Sequence, residues 1–381
     1  MLSVGEKGIQ VLILGSKEFP VGTGDDPLRY GGMEAYVQQL VEHLRRHAGV
    51  TVVTRRFRGT PEEEHRDNLR VCRVPWIRGR YLRNPSFNFF AFLRSLTLEF
   101  DVVLTMGVVA TLFGILLGRL RGMPVVACPS GVAWTQPQYG GAISRLLRMM
   151  ESVAYRHSDA VVFLSEEEMR SFHRKLGFLP ERCRVIKPGV EAGRAEDGTE
   201  FRARFGLRGT VLCFAGRLVK VKGVDVLLRA VSEVDGDFTL VIAGDGPERQ
   251  RLEKLAERLG VVERVRFVGW QENLASLLEA SEIFVLPSYS EGMPMALVEA
   301  MAHGCACVVT DIGLPVEKDR EALVVPPGDA KALGEAIRAL IRDKRMRRTL
   351  GENARSRALR EYSWSRAAEE YACLFRELVK S

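Results

Sequence analysis

The chain has 381 residues, 46% of them hydrophobic and 27% charged. At ~100 to 200 residues per domain that length predicts about two domains, and the composition excludes a disordered, collagen-like or coiled-coil polypeptide. The net charge of +7 is uneven: residues 1–195 hold 27 Lys+Arg and 19 Asp+Glu, leaving 28 and 29 for the rest.

The first predicted strand is 10–14, whose apolar stretch ends before Lys17 and lacks the layout of a signal peptide. Further strands are predicted at 50–53, 71–74, 101–104, 124–127, 160–164 and 184–186. The helices between them are clearest at 33–46, at 142–157, and after Ser165, which has Glu168 three residues on as in a capping box. The apolar run 107–118 falls short of the ~20 residues that span a bilayer, so no transmembrane segment is expected and any membrane contact is peripheral. Residues 187–199 (KPGVEAGRAEDGT) carry Pro, Gly and charge without hydrophobic period and read as a linker. A second series of strands follows at 211–215, 239–243, 265–268, 283–286, 306–309 and 323–325, again alternating with helices. From Arg345 two helical segments break near Tyr362 and Ser363; the last has an apolar stripe of Ala367, Tyr371, Leu374 and Leu378. Strands alternating with helices in two series predict two Rossmann-like α/β domains, each a parallel sheet covered on both faces.

Seven cysteines, odd in number and without metal-ligand or paired spacing, are expected as free thiols in a reducing cytosol. The basic excess of the first half, which includes Arg55, Arg56, Arg58, Arg78, Arg80, Arg83, Arg145 and Arg148, suits an anionic partner such as a phosphorylated lipid or a bilayer surface. Ordinary arginine usage on a solvated surface explains it equally well. No basic recognition helix, zinc spacing or aromatic RNA-binding strand appears, so nucleic acid is not an expected partner.

Ligands of doubly wound sheets bind beyond the carboxyl ends of strands, which singles out four loops. Residues 15–33 (GSKEFPVGTGDDPLRYGGM) end in Gly31 and Gly32 at a helix start, where backbone amides can approach a phosphate, although many such pairs are only turns. Residues 214–223 (FAGRLVKVKG) place Arg217 and Lys222 beside a strand end, suited to a departing diphosphate or simply to a basic turn. Residues 244–247 (GDGP) read as a tight turn with Pro247 at the first position of a helix. Residues 286–294 (LPSYSEGMP) carry Glu291 just before a helix that holds Glu299, so one carboxylate can reach a sugar and the other a ribose. That spacing recurs by chance in a Glu-rich chain, and it gains weight from the small residues Ala300, Ala302, Gly304 and Ala306 that follow.

The ordered stretches FAGRLVKVKGVDVLLRA, LVIAGDGPERQRLE, FVGW, LPSYSEGMPMALVEAMAHGCACVVTDIGLP and VVPPGD, over about residues 210 to 345, resemble the C-terminal domain of retaining, GT-B-fold glycosyltransferases of family 4. The first half fits through its first strand, Gly31-Gly32-Met33-Glu34 and HSDAVVFLSEEE. The resemblance implies two Rossmann-like domains facing each other across a cleft: an acceptor domain at 1–190, a nucleotide-sugar donor domain at 200–360, and a helix at 361–381 returning to the first domain. It implies Arg217 and Lys222 on the diphosphate and Glu291 on the donor sugar, these three carrying catalysis, with Glu299 on the ribose. Gly216 would bind the donor, backbone groups of Val268, Gly269 and Trp270 would contact the base, those of Gly292, Met293, Pro294 and Met295 the sugar and phosphate, and Gly31 and Gly32 would close over the phosphates. It further implies transfer with retention, without a metal or other cofactor, from a UDP- or GDP-sugar to a lipid-linked or polysaccharide acceptor at the inner face of a membrane. Where many relatives have a His near the donor sugar, this chain has Ser130, whose hydroxyl can still contact a sugar. Two alternatives keep the fold: an epimerase or synthase acting on a soluble sugar, and a weakly catalytic sugar-nucleotide-binding subunit.

Overall fold

The computed structural model describes residues 8–23, 32–79, 82–129, 141–190, 198–271 and 274–380. Gly31 and Ser130 lie outside the described residues, as does most of the linker. The chain forms two compact units: one comprises Met1–Gly189 with Trp364–Ser381, the other Val190–Ser363.

In the first unit the elements run β1 (Gln10–Leu14), α1 (Gly32–Leu44), β2 (Gly49–Arg55), β3 (Glu63–Arg66), β4 (Leu69–Val74), α2 (Arg83–Ser95), β5 (Val102–Met106), α3 (Val108–Arg121), β6 (Val125–Cys128), α4 (Gly141–Arg156), β7 (Ala160–Phe163), α5 (Glu166–Leu176) and β8 (Cys183–Val185). They build one sheet in the order β3-β4-β2-β1-β5-β6-β7-β8, parallel except where β3 folds back antiparallel on β4. Both faces of a parallel sheet are covered, so its central strands read as β-branched runs such as VVLTM in β5, buried along its whole length. Strand β3, with sequence EEHR, lies at the edge and carries charge, and for that reason it is not among the predicted strands. Helix α5 starts as the sequence pattern predicts: Ser165 Oγ accepts from Glu168 N at 3.0 Å, and Glu168 Oε2 accepts from Leu164 N at 2.8 Å.

The second unit runs α6 (Gly198–Phe205), β9 (Thr210–Ala215), α7 (Val224–Ser232), β10 (Phe238–Ala243), α8 (Arg249–Arg258), β11 (Val265–Gly269), α9 (Ala275–Glu279), β12 (Ile283–Leu286), α10 (Met295–Ala302), β13 (Ala306–Thr310), β14 (Ala322–Val325), α11 (Ala330–Arg342) and α12 (Lys344–Glu361). Its sheet order is β11-β10-β9-β12-β13-β14, with every pairing parallel. The strand order reverses between β9 and β12, the switch point at which doubly wound sheets open a crevice beyond the strand ends. Helix α8 begins at Arg249 and its N-cap is Glu248, so Pro247 sits in the turn before the helix rather than at its first position. The last helix, α13 (Trp364–Lys380), belongs to the first unit: it packs against α1, and the Tyr36 and Tyr371 hydroxyls meet at 2.9 Å in its core.

All seven cysteines are free thiols. Burial pushes the Cys213 thiol up to about 12, as befits a small core residue. Among the described residues no helix is long and apolar enough to cross a membrane.

Candidate functional site

Four strand ends of the second unit converge. Gly216 N donates to Ala243 O at 3.0 Å and Gly244 N donates to Gly269 O at 2.7 Å, so the ends of β9, β10 and β11 are laced together. The approach demands glycine at position 244. Its φ is +131°, and a Cβ there would lie 1.9 Å from Gly216 O. The turn read as purely structural thus sets the height of the loop that carries Arg217. On the other side of β9, Tyr289 N donates to Val221 O at 2.8 Å, and a Cβ on Gly223 would meet Pro287 O at 2.1 Å, which brings the loop after β12 against the loop after β9.

That contact assembles the charged centre. Lys222 ends a short 3-10 turn (Lys220–Lys222), and its Nζ lies 2.7 and 2.8 Å from the two carboxylate oxygens of Glu291. Ser288 Oγ donates to Glu291 Oε1 at 2.6 Å, and Thr310 Oγ1 donates to the carbonyl of Ser288 at 2.5 Å, so the carboxylate is held from a lysine 69 residues away and from its own loop. The side chains are largely withdrawn from solvent, 21% exposed for Lys222 and 8% for Glu291, which strengthens their attraction over that of a surface pair. Arg217 stands exposed beside them and pairs with no described carboxylate. Lys222 and Glu291 neutralise each other, so Arg217 leaves the trio with one net positive charge.

Helix α10 rises from the same loop. Pro294 is its N-cap and supplies no side-chain cap, leaving the first-turn amides of an eight-residue helix facing the loop of Gly292 and Met293. One turn further, Glu299 hydrogen-bonds through its carboxylate to no described residue, and desolvation raises its carboxyl from 4.5 to about 7. A half-protonated carboxyl with unused acceptor capacity suits a hydroxyl-bearing ligand. At the other end of the crevice β11 lies at the edge of the sheet, where among the described strands it pairs with β10. Gln271 Nε2 donates to the carbonyls of Val268 at 2.9 Å and Trp270 at 3.2 Å, which fixes that turn.

Within the second unit Lys222 and Glu291 are in direct contact, Gly216 and Arg217 lie on the loop after β9, Gly269 meets Gly244 at the end of β11, and Gly292 to Met295 and Glu299 follow Glu291 into α10. Gly32 opens α1 in the other unit. Ser288 and Thr310 were not singled out from the sequence. Ser288, three residues before Glu291 in the same loop, was a readable signal; Thr310, on another strand, gave none.

The first unit has a basic and aromatic cluster at the ends of β2 and β4. The buried Arg55 guanidinium stacks 4.9 Å from the Trp76 ring and 5.3 Å from the Phe87 ring, and it donates to Asn84 Oδ1 at 2.6 Å. Trp76 Nε1 donates to Arg56 O at 3.0 Å, and Arg56 pairs with Glu62. Arg56, Arg58, Trp76 and Arg78 line an open depression of about 300 Å³.

Two family models match: "Glycosyl transferase 4-like domain" over residues 31–189 and "Glycosyl transferases group 1" over residues 199–357. A curated relative, the D-inositol 3-phosphate glycosyltransferase of Corynebacterium jeikeium, is 30% identical over 94% of this chain and 93% of its own length. Among solved structures, sucrose-phosphate synthase from Thermosynechococcus elongatus superposes with a TM-score of 0.83 at 24% identity, over 98% of this chain and 99% of that one. HepE from Anabaena, solved in complex with UDP-glucose, superposes with a TM-score of 0.78 at 19% identity, over 97% of this chain and all of the other. The two parallel-sheet units are those of the GT-B fold.

Proposed function

The chain belongs to the group 1 glycosyl transferases, enzymes that transfer a sugar, and from that premise we propose that the crevice of the second unit binds a nucleotide-sugar and releases its diphosphate onto Arg217 and Lys222. The observation that carries this reading is the Lys222, Glu291 and Ser288 constellation beside an unpaired Arg217 at the switch point between β9 and β12. The UDP-glucose held by the fold neighbour from Anabaena supports a nucleotide-sugar such as a uridine-diphosphate sugar as donor.

In this reading the amides opening α10 and the backbone of Gly292 and Met293 hold the diphosphate and sugar, Glu291 orients the sugar hydroxyls, and Glu299 accepts from the ribose. Arg217 and Lys222 supply the charge that meets the leaving group, so the reaction needs no divalent cation. The donor's anomeric bond breaks as the acceptor oxygen approaches from the same face. A diphosphate oxygen takes the acceptor's proton, which gives retention without a protein nucleophile.

The arginine and tryptophan cluster at the ends of β2 and β4 suits an acceptor that carries phosphate beside a hydroxylated ring, the chemistry of a lipid-linked saccharide in cell-envelope synthesis at the cytoplasmic side of a membrane. A soluble phosphorylated polyol has the same chemistry, and the D-inositol 3-phosphate named for the corynebacterial relative makes it the second reading.

The test incubates the full-length protein with UDP-, GDP- and ADP-sugars and either membrane lipid extract or D-inositol 3-phosphate, following nucleoside diphosphate release and the anomeric configuration of the product. Lys222→Ala lowers turnover by about 10² to 10³ with the fold intact, and EDTA leaves the wild-type rate unchanged. Normal turnover in Lys222→Ala would overturn the site.

A further inference from the structure

Sixteen large hydrophobic side chains are exposed among the described residues, and nine of them lie on or immediately cap three helices, α2, α3 and α4. These helices pack side by side, α2 on α3 and α3 on α4. They are the crossovers leading to β5, β6 and β7, and right-handed connections place all three on one face of the first unit's sheet. Phe89 and Leu93 of α2, Leu116 and Leu120 of α3, and Leu146 and Met149 of α4 stand outward, Leu120 at 61% and Met149 at 58% exposure. The apolar surface runs from one helix to the next, for the Phe89 ring lies 6.4 Å from the Phe113 ring of α3. Scattered exposed leucines are ordinary, whereas a concentration on neighbouring helices marks a docking face.

Charge identifies what docks there. The three helices carry seven arginines and one acidic residue, Glu151, which is buried. Arg119 and Arg145 are exposed on this face and pair with no described carboxylate. Among the described residues the turn after α2 adds one exposed acid, Glu99. A second copy of the chain would bring this basic face against itself and be repelled. Nucleic acid would take the arginines but leave the leucines in water. An anionic bilayer uses both, because the side chains enter the headgroup boundary while arginines reach the phosphates.

We infer that the outer face of α2, α3 and α4 docks the first unit on an anionic membrane surface. The inference deepens the proposed membrane contact by naming the surface. It is measured without nucleotide-sugar, so a failure of docking and a failure of transfer are told apart.

The full-length protein is sedimented with vesicles of phosphatidylcholine alone or with about a third phosphatidylglycerol, at low and high salt. It binds the anionic vesicles and not the neutral ones, and salt weakens the binding. The pairs Leu120→Asp with Met149→Asp, and Arg119→Glu with Arg145→Glu, each lower binding about tenfold at an unchanged melting temperature. Val262→Asp, an exposed apolar position of the second unit, leaves it unchanged. No binding, equal binding to neutral vesicles, or full binding by the Leu120 and Met149 pair would overturn the inference. So would a concentration-dependent dimer abolished by that pair, which would assign the face to a second copy.

Discussion

Glu299 couples the site to pH. Its carboxyl titrates at about 7 in the folded chain against an ordinary 4.5, because burial disfavours its charged form. A raised carboxyl value means that folding prefers the protonated group: the stability this confers is complete below the ordinary value, declines as pH rises from there through about 7, and is absent above. Glutamine cannot ionise, so Glu299→Gln should match the wild type at about pH 4 and exceed it by about 1 to 2 kcal/mol at about pH 8, the full shift being discounted for partial exposure. Ribose hydroxyls donate preferentially to the carboxylate, so wild-type nucleotide affinity rises with pH through about 7 and that of the variant stays flat. Thermal melts and calorimetric titrations at the two pH values check both outcomes. The sequence made the two glutamates and the two cations legible, through the family resemblance and the loop chemistry. It could not show that Lys222 reaches both oxygens of Glu291, because that pair forms only where parallel β9 and β12 bring their loops together.

Among elements, α10 holds its register because α12 lies hard against it. A Cβ on Gly351 of α12 would come within 2.1 Å of Gly304 O in the turn that ends α10. Alanine is the better helix former by about 1 kcal/mol, so propensity alone predicts that Gly351→Ala stabilises. Contact with backbone decides otherwise: α12 must lift from α10 and β13, and the variant should lose about 2 kcal/mol in chemical denaturation, with weakened nucleotide binding as α10 shifts Glu299. An equally stable Gly351→Ala would disprove the close approach. Most strands were legible because parallel sheets bury β-branched runs on both faces. Three elements escaped that signal: β3 is polar, α2 is aromatic-rich and opens on Arg83, Asn84 and Pro85, and the apolar run of α3 carries too little helical alternation to declare its period.

At the scale of the whole molecule, α13 completes the first unit. Trp364, Tyr371, Leu374, Phe375 and Leu378 of α13 are buried in the first unit, the Trp364 ring 5.4 Å from that of Tyr36. At about 1.5 to 3 kcal/mol for each large apolar side chain, their loss rivals the ~5 to 15 kcal/mol that holds a domain together. Ending the chain at Ser363 should therefore unfold the first unit and spare the second, seen by hydrogen exchange as protection kept in 210–360 and lost in 10–186. Tyr371→Phe, which deprives the Tyr36 hydroxyl of its partner and removes the hydroxyl's contact with Cys128 Sγ, should cost about 1 to 2 kcal/mol. The amphipathic stripe of α13 is plain in the sequence, but periodicity does not say that it pairs with a tyrosine 335 residues earlier.

That return has a consequence for synthesis. Domains emerging from a ribosome usually fold in the order in which they are translated. Here the unit made first lacks its closing helix until residues 364–380 have been added, whereas Val190–Ser363 has every element it needs before then. The nascent first unit waits with Tyr36 of α1 lacking its Trp364 and Tyr371 partners, and the second unit can finish ahead of it. Maturation therefore runs against the direction of translation, and premature termination anywhere in α13 exposes the half of the molecule that has waited longest.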